Sequence, residues 1–270
     1  MLRLQELDII ESKDALRSVP EGKVLINTIN AHSYNVAQRD EQFAEALQTV
    51  QGSRSMVHGA QPYMKCLIPD GASIVKVCRW LKAKSQPKER IAGWDLFLFE
   101  MNDLEKKNGK LKMENGKCLK VMFLGSSEKV LTMISQRAAV DYPNLEVVTY
   151  SPPYKPEFSE EDNQAMIEAI NEANPDLLWI GMTAPKQEKW AYQHWEELNI
   201  HCHCGTIGAV FDFYAGTARR APLWWQEHSL EWLYRLLTEP RRMWRRYVIG
   251  NPLFLWNVMK EKIKRNNDCH

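Results

Sequence analysis

The chain has 270 residues, with 35 Lys and Arg against 34 Asp and Glu, for a formal net charge of +1. At 44% hydrophobic and 26% charged its composition is that of an ordinary globular protein, which excludes disordered, collagenous and coiled-coil chains. Six scattered cysteines are too few for a disulfide scaffold and suit a reducing compartment, the N-terminal MLRLQELDIIESKDALRSV lacks the apolar core of a signal peptide, and no run approaches the ~20 apolar residues of a membrane span.

In chain order, Val24–Ile29 reads as a strand and Ala31–Gln48 as a helix with apolar residues near helical spacing. Met64–Ile68 is a second strand, followed by the turn Pro69-Asp70-Gly71 and a helix to about Leu81. Gly93–Glu105 reads as a helix, and the polar, Gly-punctuated Lys106–Lys117 as a surface loop or hairpin between two halves. From Lys120 the alternation sharpens. Strand Val121–Leu124 runs into Gly125-Ser126-Ser127 and a helix over Glu128–Val140, then comes strand Leu145–Tyr150. Ser159 opens S-x-x-D, a capping box, ahead of a helix to about Ala173 that Asn174-Pro175 stops. Strand Leu177–Ile180 ends at Gly181, a helix follows from Pro185 to Leu198 with proline in its first turn, and strand Ile200–Cys204 ends at Gly205. Such alternation implies right-handed crossovers and a parallel sheet. The expected fold is α/β, a Rossmann-like open, mostly parallel sheet with flanking helices, over residues 1–218. Residues 219–270 form a short helical appendage.

The neutral total hides an asymmetry. Residues 216–270 hold 11 Lys and Arg against 5 Asp and Glu, and half of the ten tryptophans. This tail reads as three short helices: Leu230, Leu233, Tyr234 and Leu237 form one apolar stripe, Pro240 interrupts it, Arg241–Ile249 resumes, and Gly250-Asn251-Pro252 breaks it again. Arg241/Arg245 and Arg242/Arg246 are i,i+4 pairs without an acid between them. They are either a solvated charged face or, since like charges at that spacing repel, a receptor for an anion.

Ligands of open parallel sheets bind at the carboxyl ends of the strands. Polar or glycine-bearing turns fall there at Thr28-x-Asn30, Pro69-Asp70-Gly71, Gly125-Ser126-Ser127, Gly181 through Gln187, and Gly205 through Asp212. Their coincidence points to a ligand bearing phosphate or nucleotide. Neither a dinucleotide fingerprint nor a phosphate-loop motif occurs. With no D-x-D pair either, a diphosphate would have to be neutralised by arginines and helix N-termini. The run His201-Cys202-His203-Cys204 suggests a metal cluster at first sight. On a strand, alternation sends its histidines and cysteines to opposite faces, so an ordinary strand with two small buried thiols is the favoured reading.

Asn27-Thr28-Ile29-Asn30, Leu67-Ile-Pro-Asp70-Gly71, Arg90-x-x-Gly93-x-Asp95, Gly181-Met-Thr-Ala-Pro-Lys-Gln187-Glu-Lys-Trp190, Phe211-Asp212-Phe-x-Ala-Gly216, Arg220-Ala-Pro222 and Leu230-Glu-Trp-Leu-Tyr-Arg235-Leu-Leu-x-Glu-Pro-Arg241-Arg242 together resemble the WecG/TagA/CpsF glycosyltransferases (glycosyltransferase family 26), from about Lys23 to Leu255. The resemblance implies inverting, metal-independent and cofactor-free transfer of a sugar (N-acetylmannosamine-type or a hexose) from a UDP-sugar donor to a polyprenyl-diphosphate-sugar acceptor. It places this in cell-envelope or exopolysaccharide synthesis, on a cytoplasmic protein held peripherally at the inner face of the cell membrane. Carried over residue by residue, it makes Asp70 the catalytic base, with Gly71 beside it giving substrate access to the backbone. Thr28, Asn30 and Arg90 become contacts in the sugar pocket, Gln187 and Asp212 donor-side residues, and Arg235, Arg242 and Arg245 a diphosphate clamp. The chain departs from the family pattern in extra residues around Gly52–Gln61 and Asn108–Gly116, and in the polar strand His201–Cys204. The competing reading is a Rossmann-like nucleotide-binding module whose basic, Trp-rich tail binds nucleic acid or another anionic partner. Near-zero net charge and the lack of a nucleic-acid motif weigh against it. Trp and Arg together in the tail suit an anionic membrane surface. Oligomeric state stays open, with a homo-oligomer among the options.

Overall fold

A computed structural model describes residues 1–49, 64–115 and 118–268. Six parallel strands, β1 (Val24–Ile29), β2 (Met64–Pro69), β3 (Lys120–Gly125), β4 (Glu146–Tyr150), β5 (Leu177–Gly181) and β6 (His203–Thr206), form one open sheet in the order β2-β1-β6-β5-β3-β4. Helices α1 (Ala31–Ala37), α2 (Glu41–Leu47), α3 (Ala72–Leu81), α4 (Gly93–Asn115), α5 (Glu128–Asp141), α6 (Glu160–Ala173), α7 (Lys186–Gln193) and α8 (Gly208–Ala215) flank it. The near-continuous apolar runs of β3 and β5, buried along almost their whole length, are what a sheet covered on both faces requires. The expected α/β sheet is present, and all six of its strands are parallel. The extra residues expected around Gly52–Gln61 lie outside the described residues.

Local signals account for most boundaries. Ser159 and Asp162 close the expected capping box on α6, and Asn174 ends that helix in the left-handed conformation. Three boundaries differ from the sequence reading. The single helix expected over Ala31–Gln48 is two, because Asp40 accepts from the Phe43 amide at 3.0 Å and caps α2. The loop expected at Lys106–Lys117 is helical as far as Asn115. Lys107 pairs with Asp103 one turn back at 3.0 Å, and the buried Asn108 donates to the Asn144 carbonyl and accepts from the Leu119 amide. The strand expected at Ile200–Cys204 occupies His203–Thr206 instead. Gly205 is an interior strand residue lying beneath Trp179, whose ring a Cβ would meet at 2.2 Å. Of the His/Cys run, His201 is exposed and outside the strand, Cys202 and Cys204 are buried, and His203 bonds Glu100 and the Pro20 carbonyl.

The C-terminal region departs further. Short helices α9 (Leu223–Glu227) and α10 (Glu231–Thr238) lead into α11 (Pro240–Trp244), a π-turn at Arg245–Ile249, and the 19-residue α12 (Gly250–Asp268). The break expected at Gly250-Asn251-Pro252 does not occur: the backbone runs from the π-turn straight into α12, with Gly250 in helical conformation and Pro252 inside the helical run. This last helix is anchored in the body. Phe254 and Val258 are buried in one cluster with Ile29, Tyr34, Ile74 and Cys78. Glu261 accepts from the Tyr34 hydroxyl at 2.7 Å and the Gln5 amide at 2.8 Å. The opposite face of the same helical run presents Val248, Leu255, Trp256, Met259 and Ile263 to solvent, at spacings of three, four and seven that keep them on one side. Four of the five C-terminal tryptophans are exposed, and Trp225 is half-buried. Among the described residues no helix is long and apolar enough to cross a membrane.

Candidate active site

β2 ends at Pro69, paired with Ile29 of β1, and the Asp70 amide donates to the Ile29 carbonyl at 2.9 Å. Asp70 therefore stands at the carboxyl edge of the sheet, half-buried. Gly71 turns the chain into α3 at φ +126°, a conformation that side chains strain. The Ile91 amide bonds back to the Pro69 carbonyl at 3.0 Å, which sets Arg90 beside Asp70. The C-terminal region supplies the rest. Glu231 opens α10 and its carboxylate meets Arg90 Nη1 at 2.8 Å, with Arg220 Nε at 4.0 Å from its other oxygen. Arg235, one turn on, lies over the Phe213 ring at 4.9 Å. Arg246, in the π-turn, has a buried Nε with no hydrogen-bond partner among the described residues. Arg90, Arg235 and Arg246 all act electrostatically on Asp70.

Burial pushes the Asp70 carboxyl above its ordinary range; Glu231 adds to that effect and the three arginines oppose it. Burial and Arg246 hold His32, at the start of α1, down to about 4, so it is neutral at pH 7. The arrangement is a carboxylate poised to take a proton, inside a ring of cations suited to an anionic leaving group.

The other residues singled out by sequence are spread more widely. Thr28 is half-buried on β1, opposite Ile68 of β2. Asn30 caps α1, accepting from the His32 and Ser33 amides at 3.0 Å each. Gln187 is buried, its carbonyl accepting from the Met182 and Gly208 amides and its amide donating to Glu188. It thereby ties the end of β5 to the start of α8. Asp212, on α8, accepts from the Thr217 hydroxyl at 3.1 Å. Of the three clamp arginines, Arg235 reaches the Asp70 cluster. Arg242 pairs with Glu239 at 2.9 Å, within electrostatic reach of Arg246. Arg245 is exposed, its guanidinium 5.4 Å from the Trp244 ring. Sequence reasoning assigns no role to Glu231 and names Arg246 only as one of four arginines that could receive an anion. The signal for Glu231 is an acid one turn before Arg235, inside a string already distinctive. Among the described residues no group of three or more His, Cys, Asp or Glu is arranged to hold a metal.

The model of the Glycosyl transferase WecG/TagA/CpsF family matches residues 2–268. An N-acetylglucosaminyldiphosphoundecaprenol N-acetyl-beta-D-mannosaminyltransferase of Bacillus subtilis is 29% identical over 196 residues, 73% of this chain and 69% of that protein. The protein of the same name from Bacillus spizizenii is 30% identical over 73% of this chain and 68% of its own. That from Staphylococcus aureus is 27% identical over 73% and 70%.

Proposed function

The chain belongs to the WecG/TagA/CpsF glycosyltransferase family, and from that premise we propose that it moves a sugar from a UDP-sugar to a sugar carried on polyprenyl diphosphate, with inversion and without a metal. The observation that carries this reading is the Asp70 carboxylate, held at the sheet edge and ringed by Arg90, Arg235 and Arg246 from two parts of the chain. In the transfer, an acceptor hydroxyl oxygen attacks the anomeric carbon from the face opposite UDP, and its proton passes to Asp70. The bond between the anomeric carbon and the diphosphate oxygen breaks, and its electron pair leaves with UDP. Charge grows on that oxygen as the bond lengthens, so pre-placed guanidinium groups stabilise the transition state more than the ground state. Arg246 joins Arg235 and Arg242 as an anion ligand, because its buried Nε has no partner within the described protein. The relatives are named for transfer of N-acetylmannosamine to N-acetylglucosaminyl-diphosphoundecaprenol, and that pair heads the substrates proposed here.

The exposed stripe of α12 supports docking at the inner face of the membrane. Aromatic and aliphatic side chains line one side of the helix, and Arg241, Arg245, Lys260 and Lys264 are also exposed. Such a helix lies in the interface plane with its cations at anionic headgroups. The same helical run carries Arg246 on its way to the site, so docking brings the diphosphate of a lipid-linked acceptor to the level of the arginines. A panel of UDP-sugars tested against a polyprenyl-diphosphate-N-acetylglucosamine analogue, with and without EDTA and read by UDP release, tests the reading. One donor is expected to turn over regardless of chelator, and Asp70→Asn to abolish turnover while UDP still binds. Turnover retained in Asp70→Asn removes Asp70 as the base. Release of no UDP from any donor removes the transfer.

A further inference from the structure

Among the described residues Glu231 is the one acid that acts on Asp70, and it comes from α10. Its side chain and that of Arg90 are 17% and 21% exposed, and they meet at 2.8 Å. Arg220 approaches the other oxygen of the same carboxylate at 4.0 Å, and Arg220 in turn lies 5.7 Å from the Trp94 ring. Arg90 immediately precedes Ile91, whose amide returns the segment to Pro69, and its guanidinium acts electrostatically on two carboxylates, Asp70 and Glu231. It takes Glu231. Among the described residues no hydrogen bond or ion pair engages the Asp70 carboxylate.

We propose that Glu231 is a positioning residue: it holds the Arg90 guanidinium off Asp70, so that the docked appendage leaves the Asp70 carboxylate unpaired and able to accept a proton. The inference rests on the reading of Asp70 as the base. It gives α10 a role distinct from that of the arginines. Without Glu231, Arg90 falls onto Asp70 and forms the ordinary Arg–carboxylate pair, which would hold the base ionised but weak and block its approach to a hydroxyl. The remaining charged groups around Asp70 are Arg235 from α10 and Arg246 from the π-turn, with neutral His32 behind Arg246. Arg220 is in electrostatic reach of Glu231, Asp95 and Asp70 as well. Loss of Glu231 also releases Arg220 from its 4.0 Å approach to that carboxylate, so the part of the change that passes through Arg90 is read from the comparison with Arg90→Gln.

The test titrates the Asp70 side chain in the full-length protein by carbon-13 NMR, assigning its resonance by comparison with Asp70→Asn. Glu231→Gln should lower the Asp70 midpoint by about one pH unit, since an opposite charge within 4–6 Å lowers a carboxyl by roughly 1–3 units. Arg90→Gln should raise it, and the double variant should titrate like Arg90→Gln, because without Arg90 there is no guanidinium for Glu231 to hold. A double variant that instead returns to the parent value means that the two charges act on Asp70 independently, and overturns the positioning role. The acid limb of the pH–rate profile should move in parallel wherever turnover is measurable. An Asp70 midpoint that stays put in both single variants, or moves the same way in both, overturns the proposal. If Glu231→Gln does not fold, Arg90→Gln alone decides it: an unchanged or lowered midpoint refutes it. Because the titration needs no substrate, its failure is separable from failure of the transferase reading, which shows as turnover in Asp70→Asn.

Discussion

Phe254 and Trp256 stand two residues apart on α12 and face opposite ways, which makes them a paired test of how this helix is used. Phe254 is 2% exposed and meets Tyr34 edge to face, with ring centroids 5.5 Å apart. Its truncation to alanine removes a filled core position, a change that costs about 3–5 kcal/mol against a total stability of about 5–15 kcal/mol. Trp256 is 55% exposed. About half of an indole's ~200 Å², at ~25 cal/mol per Å², is about 2.5 kcal/mol if lipid covers it, or between tenfold and a hundredfold in partitioning. Trp256→Ala should leave stability within about 0.5 kcal/mol. Urea unfolding followed by circular dichroism measures the first quantity, and co-sedimentation with vesicles of phosphatidylglycerol and phosphatidylcholine the second. Phe254→Ala should unfold at markedly lower urea, and Trp256→Ala should unfold like the parent but leave the vesicle pellet. Unchanged stability in Phe254→Ala would mean that α12 is not part of the core. Unchanged sedimentation of a folded Trp256→Ala would mean that the outward stripe does not meet lipid.

Two neighbouring arginines give a second contrast. Arg246→Ala should reduce turnover at least tenfold with vesicle binding intact, whereas Arg245→Ala should keep turnover in a detergent assay and weaken binding to anionic vesicles; the reverse pattern would exchange their roles. Glu188 offers a pH-dependent test of the scaffold beneath the site. It is buried, one of its oxygens has no hydrogen-bond partner among the described residues, and burial pushes its carboxyl up to about 7. Between the ordinary value near 4.5 and 7 the folded protein keeps a proton that the unfolded chain has lost. Stability therefore falls as pH rises through that window and is flat above it. A shift of that size is worth about 3 kcal/mol, so Glu188→Gln should raise Tm at pH 8 and barely change it at pH 5. An equal change at both values would mean that Glu188 does not titrate on unfolding.

Where one local signal decides the backbone, the sequence is explicit. Ser159-x-x-Asp162 closes its capping box, β1, β2, β3 and β5 lie within a residue of where their apolar runs put them, and the Pro69-Asp70-Gly71 turn stands at the end of β2. Where a residue has two uses, sequence alone does not choose. Gly205 reads as a stop because glycine usually punctuates, yet here it is the only residue that fits beneath Trp179. Lys106–Lys117 reads as a loop because it is polar, yet the backbone is helical as far as Asn115, with Lys107 paired to Asp103 and Asn108 bonded to Asn144. The family resemblance points Asn30 and Gln187 at substrates, and each has its carbonyl oxygen engaged by backbone amides.

The choice between Arg245 and Arg246 shows why the arginine ring is the least legible part. A regular helix from Pro240 onward advances about 100° per residue, and the i,i+4 pairs drawn on that basis put Arg241 with Arg245 and Arg242 with Arg246. The backbone is not regular there. Pro252 has no amide to give Val248, and its ring would crowd that carbonyl. The turn holding Val248 widens, and the Gly250 amide bonds to the Arg245 carbonyl five residues back. A π-turn inserts one extra residue and rotates the helix beyond it relative to the helix before it. The widening begins at Arg245 itself, so the phase set by α10 and α11 no longer says which arginine faces Asp70. Arg246 turns inward, Arg245 lies over Trp244, and α12 continues with Phe254 toward the core and Trp256 toward solvent. The turn that accommodates Pro252 therefore decides which arginine comes near Asp70 and which face of the last helix stays exposed.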